Sequence, residues 1–159
     1  MPKREVEFFI IDVLIALDTV KRKTQSLCDA DQLLHDEDAW LAVTRSLEIV
    51  GEAMKMIVGN ADLKPFIKSY WRDVVDFRNV VAHEYFGLNA EQIFDIAKKD
   101  VPDLEQDMIS LINQHKNRTM ICWTIDQAKT DLEHTRRVAS LKYLEDIEAM
   151  LCTPKIIKE

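Results

Sequence analysis

Three glycines and four prolines are all that punctuate 159 residues, and the long stretches between them carry apolar side chains at three- and four-residue spacing. So few breakers leave little turn chemistry for a sandwich or barrel of short strands. The spacing gathers apolar residues onto one face of an α-helix. The expectation is therefore an all-α chain, an antiparallel helical bundle with an additional long C-terminal helix.

A first helix is expected from about Glu5 to Leu27, where Val6, Phe9, Ile10, Val13, Leu14, Leu17 and Val20 make one apolar face. Asp29 to Asp38 is acidic and reads as a loop or a frayed helix end. A second helix, from about Asp38 to Val58, buries Trp40, Val43, Leu47, Val50, Met54 and Ile57. Gly59 and Asn60 stop it, since both tolerate the left-handed conformation that ends helices. A connector around Pro65 leads to a third helix, from about Tyr70 to Glu84, which ends at Phe86-Gly87-Leu88. Asn89, with Gln92 three positions on, caps a fourth helix to about Asp100. Pro102, at a first-turn position, restarts a fifth that ends near His115. Beyond it, Thr124-Ile125-Asp126-Gln127 matches a capping box, which predicts one long helix from there to about Leu151. The chain thus divides into a helical domain over residues 1–117 and a C-terminal helical extension over 118–159. The extension could pack on its own domain, on a second subunit or on a partner.

The length suits one compact domain with a real core. No apolar run approaches the ~20 residues that cross a bilayer, and the N-terminus reads as an amphipathic helix start without the continuous apolar core of a signal peptide. No membrane association is expected. Cys28, Cys122 and Cys152 are odd in number and widely spaced, which argues against a disulfide framework or a zinc site and for a reducing cytoplasm. The net charge of −7 sits in residues 1–117, with 14 basic against 21 acidic side chains; residues 118–159 balance at 7 and 7. An acidic main domain argues against a broad nucleic-acid footprint and suits a partner with a basic face.

Against that background, Arg78-Asn79-Val80-Val81-Ala82-His83-Glu84-Tyr85 concentrates a permanent cation, an amide, an imidazole and a phenol in one helical segment. At about 100° per residue, Asn79 and His83 share a face, and Arg78 lies about 140° around and ~7.5 Å along the axis from His83. An imidazole, titrating near ~6.5 in water, can move a proton at neutral pH. A guanidinium can hold a phosphate with a bidentate fork. Metal-free RNA cleavage needs both capacities. One helix would struggle to close all three groups around a phosphate, whereas two copies facing each other across a two-fold axis could do so. No carboxylate cluster or His/Cys spacing suggests a metal site, and no cofactor is expected. His35, His115 and His134 have no such company and receive no role.

The Arg-x4-His-x-Tyr pattern resembles the signature of the HEPN superfamily in its HepT toxin branch. Three further stretches share the likeness in order and spacing: Arg45 to Ala53, reading Arg-Ser-Leu-Glu-Ile-Val-Gly-Glu-Ala; Trp71-Arg72-Asp73; and Tyr85-Phe86-Gly87. The resemblance covers about residues 5–115. It implies a HEPN-type helical bundle that homodimerises, with a metal-independent endoribonuclease site composite at the dimer cleft. Arg78 and His83 match the family's catalytic pair, and Asn79 the polar residue that commonly follows the arginine. It also implies a partner, an MntA-like minimal nucleotidyltransferase antitoxin that transfers AMP onto the motif tyrosine, here Tyr85. Arg45 and Glu52, on the matching upstream helix, could support the motif helix through polar contacts; the weightier reading for both is that of buried structural polar groups. The segment from about Arg118 exceeds the family's usual length, which leaves open whether it covers the dimer cleft. The alternative reading is a non-catalytic HEPN interaction module that partners a nucleotidyltransferase. A small-molecule-binding bundle has no ligand cluster behind it.

Overall fold

The computed structural model describes residues 3–83, 87–114 and 117–152, and every regular element among them is helical. The helices are α1 (Val6–Thr24), α2 (Ala30–His35), α3 (Glu37–Val58), α4 (Tyr70–His83), α5 (Ala90–Asp95), α6 (Val101–Gln114), α7 (Arg118–His134) and α8 (Val138–Leu151). A 3-10 turn, Ala61–Phe66, joins α3 to α4, and a wide π turn, Ile96–Asp100, joins α5 to α6.

Helix α1 is the axis of the fold. It packs against α3, α6, α7 and α8, so it buries Ile10, Ile11 and the unbroken run from Val13 to Asp18. The single apolar face expected from its sequence is therefore too narrow. A helix with neighbours on several sides is apolar nearly all round. Helix α3 keeps the expected stripe, with Val43, Leu47, Val50, Met54 and Ile57 buried.

Short polar side chains start α2, α3, α5 and α7 by accepting backbone N–H groups that have no partner within the helix. Asp36 caps α3 through the amide of Ala39, Asn89 caps α5 through Glu91 and Gln92, and Asn117 caps α7 through Met120. The segment from Asp29 is a true short helix, capped by Asp29 through Gln32. Gly59 ends α3 where expected, but with φ −79° it does so without the left-handed conformation. Asn60 acts instead as the cap of the 3-10 turn, accepting from Asp62 and Leu63. The break expected at Pro102 is absent: α5, the π turn and α6 run on from one another. Proline has no amide hydrogen for the carbonyl four residues back, and the wide turn lies in the residues just before it.

The C-terminal region departs furthest from its expected form. Two helices stand where one was expected, because the chain reverses at Thr135–Arg137, with Arg136 at φ 57°. Thr124 is no cap. It is fully buried inside α7, and its hydroxyl donates to the carbonyl of Met120 at 2.8 Å, the back-bond open to a mid-helix threonine. The α7–α8 hairpin shares the core of the rest of the chain, with Ile121, Ile125, Leu144, Ile147 and Leu151 buried. Its open end is closed by a Cys122–Cys152 disulfide with Cα atoms 5.9 Å apart, beside the Arg118 guanidinium, which donates to the carbonyl of Leu151 at 2.7 Å. The expectation of three unpaired thiols is corrected by this pair. Wide spacing in sequence hid two positions that the hairpin brings together. Cys28 is free and exposed. Closing the 30-residue separation between the two cysteines is expected to stabilise the fold by about 3 kcal/mol. Urea unfolding of the oxidised chain against the Cys122→Ser chain measures it, and equal midpoints would contradict it.

A polar network ties the hairpin to the bundle. Glu105 of α6 is buried and accepts from Lys21 of α1 and from the Tyr143 hydroxyl of α8, each at 2.8 Å. Burial, together with the carboxylate it faces, pushes the Tyr143 phenol above its ordinary value, so it stays a donor through the physiological range. Tyr143→Phe removes a hydrogen bond to a charged group and is expected to cost about 1.5–3 kcal/mol. Thermal unfolding reads this loss, and an unchanged midpoint would mean that water replaces the phenol without cost.

Candidate active site

The motif lies on a sparsely covered helix of the bundle. Of the residues of α4, Trp71 and Val81 are buried, while Val74, Val75 and Phe77 are partly buried against the core. Its main packing partner is α3. Arg78 is partly buried, and the rest of the helix is exposed, including Asn79 and His83, with Val80 beside them at 36% exposure.

Gly51 sets the approach of the two helices. A Cβ built at Gly51 would lie 2.2 Å from Cβ, 2.8 Å from Cγ and 3.2 Å from Cα of Arg78. Glycine within a helix costs roughly 0.5–1 kcal/mol relative to alanine. Here it lets the backbone of α3 nestle against the arginine's own backbone. The sequence carries a signal for this, since an isolated glycine inside a strongly helical pattern marks a close approach, but it does not show what approaches.

That contact leaves the Arg78 guanidinium across from α3, where its Nη2 is ion-paired with Glu52. Its Nη1 donates to Oδ1 of Asn79 at 3.4 Å, and its buried Nε has no hydrogen-bond partner among the described residues. Arg78 and Asn79 are thus in contact. His83 lies one turn further toward the end of α4, exposed on the surface. Tyr85 falls outside the described residues, as does His115.

Glu52 and Arg45 differ from the buried polar groups expected. The Glu52 side chain is 49% exposed and reaches the motif arginine; that of Arg45 is 68% exposed and pairs along its own helix with Glu48 at 3.1 Å. Both sit on the outer face of α3, away from the stripe that faces α1. Among the described residues no three His, Cys, Asp or Glu side chains gather as a metal site, and no helix is long and apolar enough to cross a membrane.

The hairpin beyond residue 117 packs chiefly on α1, with α7 also against α6, whereas α4 packs chiefly on α3. An all-helical bundle that presents Arg-x4-His on one open helix is the arrangement of a HEPN-type protein. The chain belongs to the HepT-like ribonuclease family, whose model, described as "Ribonuclease HepT-like", matches residues 13–111.

Among its relatives is the Methanocaldococcus jannaschii protein "Putative RNase MJ1380", 32% identical over 108 residues, which are 68% of this chain and 97% of the relative. "Putative RNase MJ0127" from the same organism is 35% identical over 107 residues, 65% of this chain and 84% of its own. "Probable ribonuclease HepT" of Thermococcus cleftensis is 33% identical over 104 residues, 65% of this chain and 92% of its own. No solved structure matches the chain.

Proposed function

We propose that this chain is the toxin of a HepT/MntA-like toxin–antitoxin pair, a metal-independent endoribonuclease. The observation that carries the reading is the placement of exposed Asn79 and His83 on α4 beside the partly buried Arg78, whose guanidinium reaches Asn79. In the proposed reaction a general base takes the proton of a ribose 2′-hydroxyl. The oxygen attacks the adjacent phosphorus, the P–O5′ bond breaks, and an acid returns a proton to the leaving oxygen. A 2′,3′-cyclic phosphate is left. His83 serves one proton transfer. Arg78 exchanges its contact with Glu52 for the phosphate and stabilises the charge of the pentacovalent state. Asn79 orients the guanidinium or bonds a phosphate oxygen.

The site is composite in a homodimer, with Arg78 and His83 of facing copies around one phosphate. A minimal nucleotidyltransferase antitoxin silences it by transferring AMP to Tyr85, whose added bulk and negative charge keep RNA out. Mixing the Arg78→Ala and His83→Ala proteins tests the composite arrangement. Two inactive homodimers should regain activity on subunit exchange, because one site of the heterodimer then holds both residues. Absence of recovery, with exchange demonstrated, would place the site within a single chain. The antitoxin arm is tested by incubation with ATP and the nucleotidyltransferase: an AMP mass on wild type and none on Tyr85→Phe is the expected result.

A further inference from the structure

A groove separates α4 from the α5–α6 segment. Its cavity volume is about 1040 Å³, large beside the ~300–1,000 Å³ of small-molecule pockets. It forms because α4 leans on α3 while α5 and the π turn pack toward α1, α2 and α6. Its floor is apolar, with Leu17, Val50, Phe77 and Leu104 among the lining residues. Its walls are acidic: Asp73 from α4, Glu91 and Asp95 from α5, Asp100 from the π turn, and Asp103 and Asp107 from α6. Lys68 is the one basic side chain among the described lining residues, and it is bound to Asp107 at 2.6 Å. The Tyr70 hydroxyl donates to the same carboxylate. Asp95 pairs with Lys99 of the neighbouring π turn at 3.6 Å, across a well-exposed contact.

We infer that this groove is a docking site for a basic amphipathic helix of a partner protein. Charge complementarity decides the occupant. Apolar side chains of such a helix would cover the floor, and lysines or arginines along its flanks would meet the carboxylates on both walls. A second copy, which the proposed dimer sets against the motif residues of α4, carries a net charge of −7 and is a poor match for these acidic walls, and the walls themselves repel RNA phosphates. A small cation satisfies the walls but leaves the apolar floor wet. The occupant would touch Asp73, Val74 and Phe77 of α4, one turn or so from Arg78, so docking bears directly on the motif helix. The groove's role stands apart from the ribonuclease reading, since nothing in it requires cleavage.

The test uses the full chain and a short fluorescent peptide of leucine and lysine patterned as an amphipathic helix. Anisotropy is measured for wild type, for Asp73→Asn with Asp103→Asn (one residue on each wall), and for Asp131→Asn with Glu133→Gln, exposed acids on α7. The expected result is saturable binding to wild type and to the α7 variant, weakened about tenfold or more in the groove variant and by added salt. The same peptide with glutamate for lysine should not bind. Equal affinity for all three proteins, or equal weakening in the α7 variant, would overturn the inference, because general acidity would then explain the binding. Tight binding of spermidine at the same carboxylates with no binding of the peptide would overturn it in favour of a small cation. A sedimentation shift produced by the groove variant alone, without peptide, would overturn it in favour of a second copy.

Discussion

Replacing His83 with alanine is expected to lower RNA cleavage by about 10²–10⁴-fold, the range of a lost general acid or base. Arg78→Ala should lower it by about 10²–10³-fold, as for loss of a group that stabilises developing charge. The two losses have different physical characters. His83 is an exposed residue near the end of α4, so its removal should leave thermal stability nearly unchanged. Arg78 also links α4 to Glu52. The Glu52 side of that pair is about half exposed and solvent screens it, so Arg78→Ala should destabilise the protein only modestly. Arg78→Lys keeps the charge but loses the fork, and should recover little activity. Single-turnover rates on a defined RNA, beside melting curves of the same preparations, separate these effects. His83→Ala with wild-type rates would remove the histidine from the chemistry.

Gly51→Leu should cost about 4 kcal/mol or more and abolish activity. The added Cβ alone would lie 2.2 Å from Cβ of Arg78 and 3.2 Å from its Cα. Neither atom is the far end of a flexible side chain, so relief requires α3 and α4 to part. Parting them unseats Trp71, which is 1% exposed, and moves the motif relative to Glu52. A milder pair of variants isolates the cause. Gly51→Ala should be strongly destabilised, and adding Arg78→Gly removes the Cβ and Cγ contacts. The double variant should therefore be more stable than the sum of the two single changes and still inactive. Simple additivity would show that the loss does not come from the contact between position 51 and the Arg78 side chain.

The sequence was most legible where periodicity and caps agree. The cap at Asn89 stands as read, and so does the stripe of α3 except at Trp40, which is only partly buried. Helix α1 was located correctly but with too narrow a buried face, because a seven-residue apolar pattern does not reveal how many neighbours a helix will have. The α7–α8 hairpin was the least legible part. Thr135-Arg136-Arg137 contains neither glycine nor proline, so nothing local marks the reversal. Thr124 has the side chain of a cap, yet tertiary burial of α7 decides its position. The Cys122–Cys152 pair depends on that reversal and was hidden with it.

For the site, spacing alone put Asn79 and His83 on one face of α4. The partner of Arg78 depends on how α4 crosses α3, a relation that one helix cannot express. The matching upstream helix suggested that Glu52 could contact the motif helix, whereas the weightier reading, a buried structural role, does not fit its half-exposed side chain. The acidic groove escaped notice because its carboxylates come from α4, α5, the π turn and α6, and appear along the sequence as ordinary solvated charges.

The most direct test is cleavage of a cellular RNA pool by the purified chain in EDTA, beside a DNA of matched sequence. Intact mass is recorded on the same sample. RNA cut to 2′,3′-cyclic phosphate ends, with DNA untouched and no cutting by His83→Ala, is the result expected of a metal-independent ribonuclease built on α4. Intact RNA from a protein whose mass shows no added nucleotide would contradict it, and would make this HepT-like bundle a binding module.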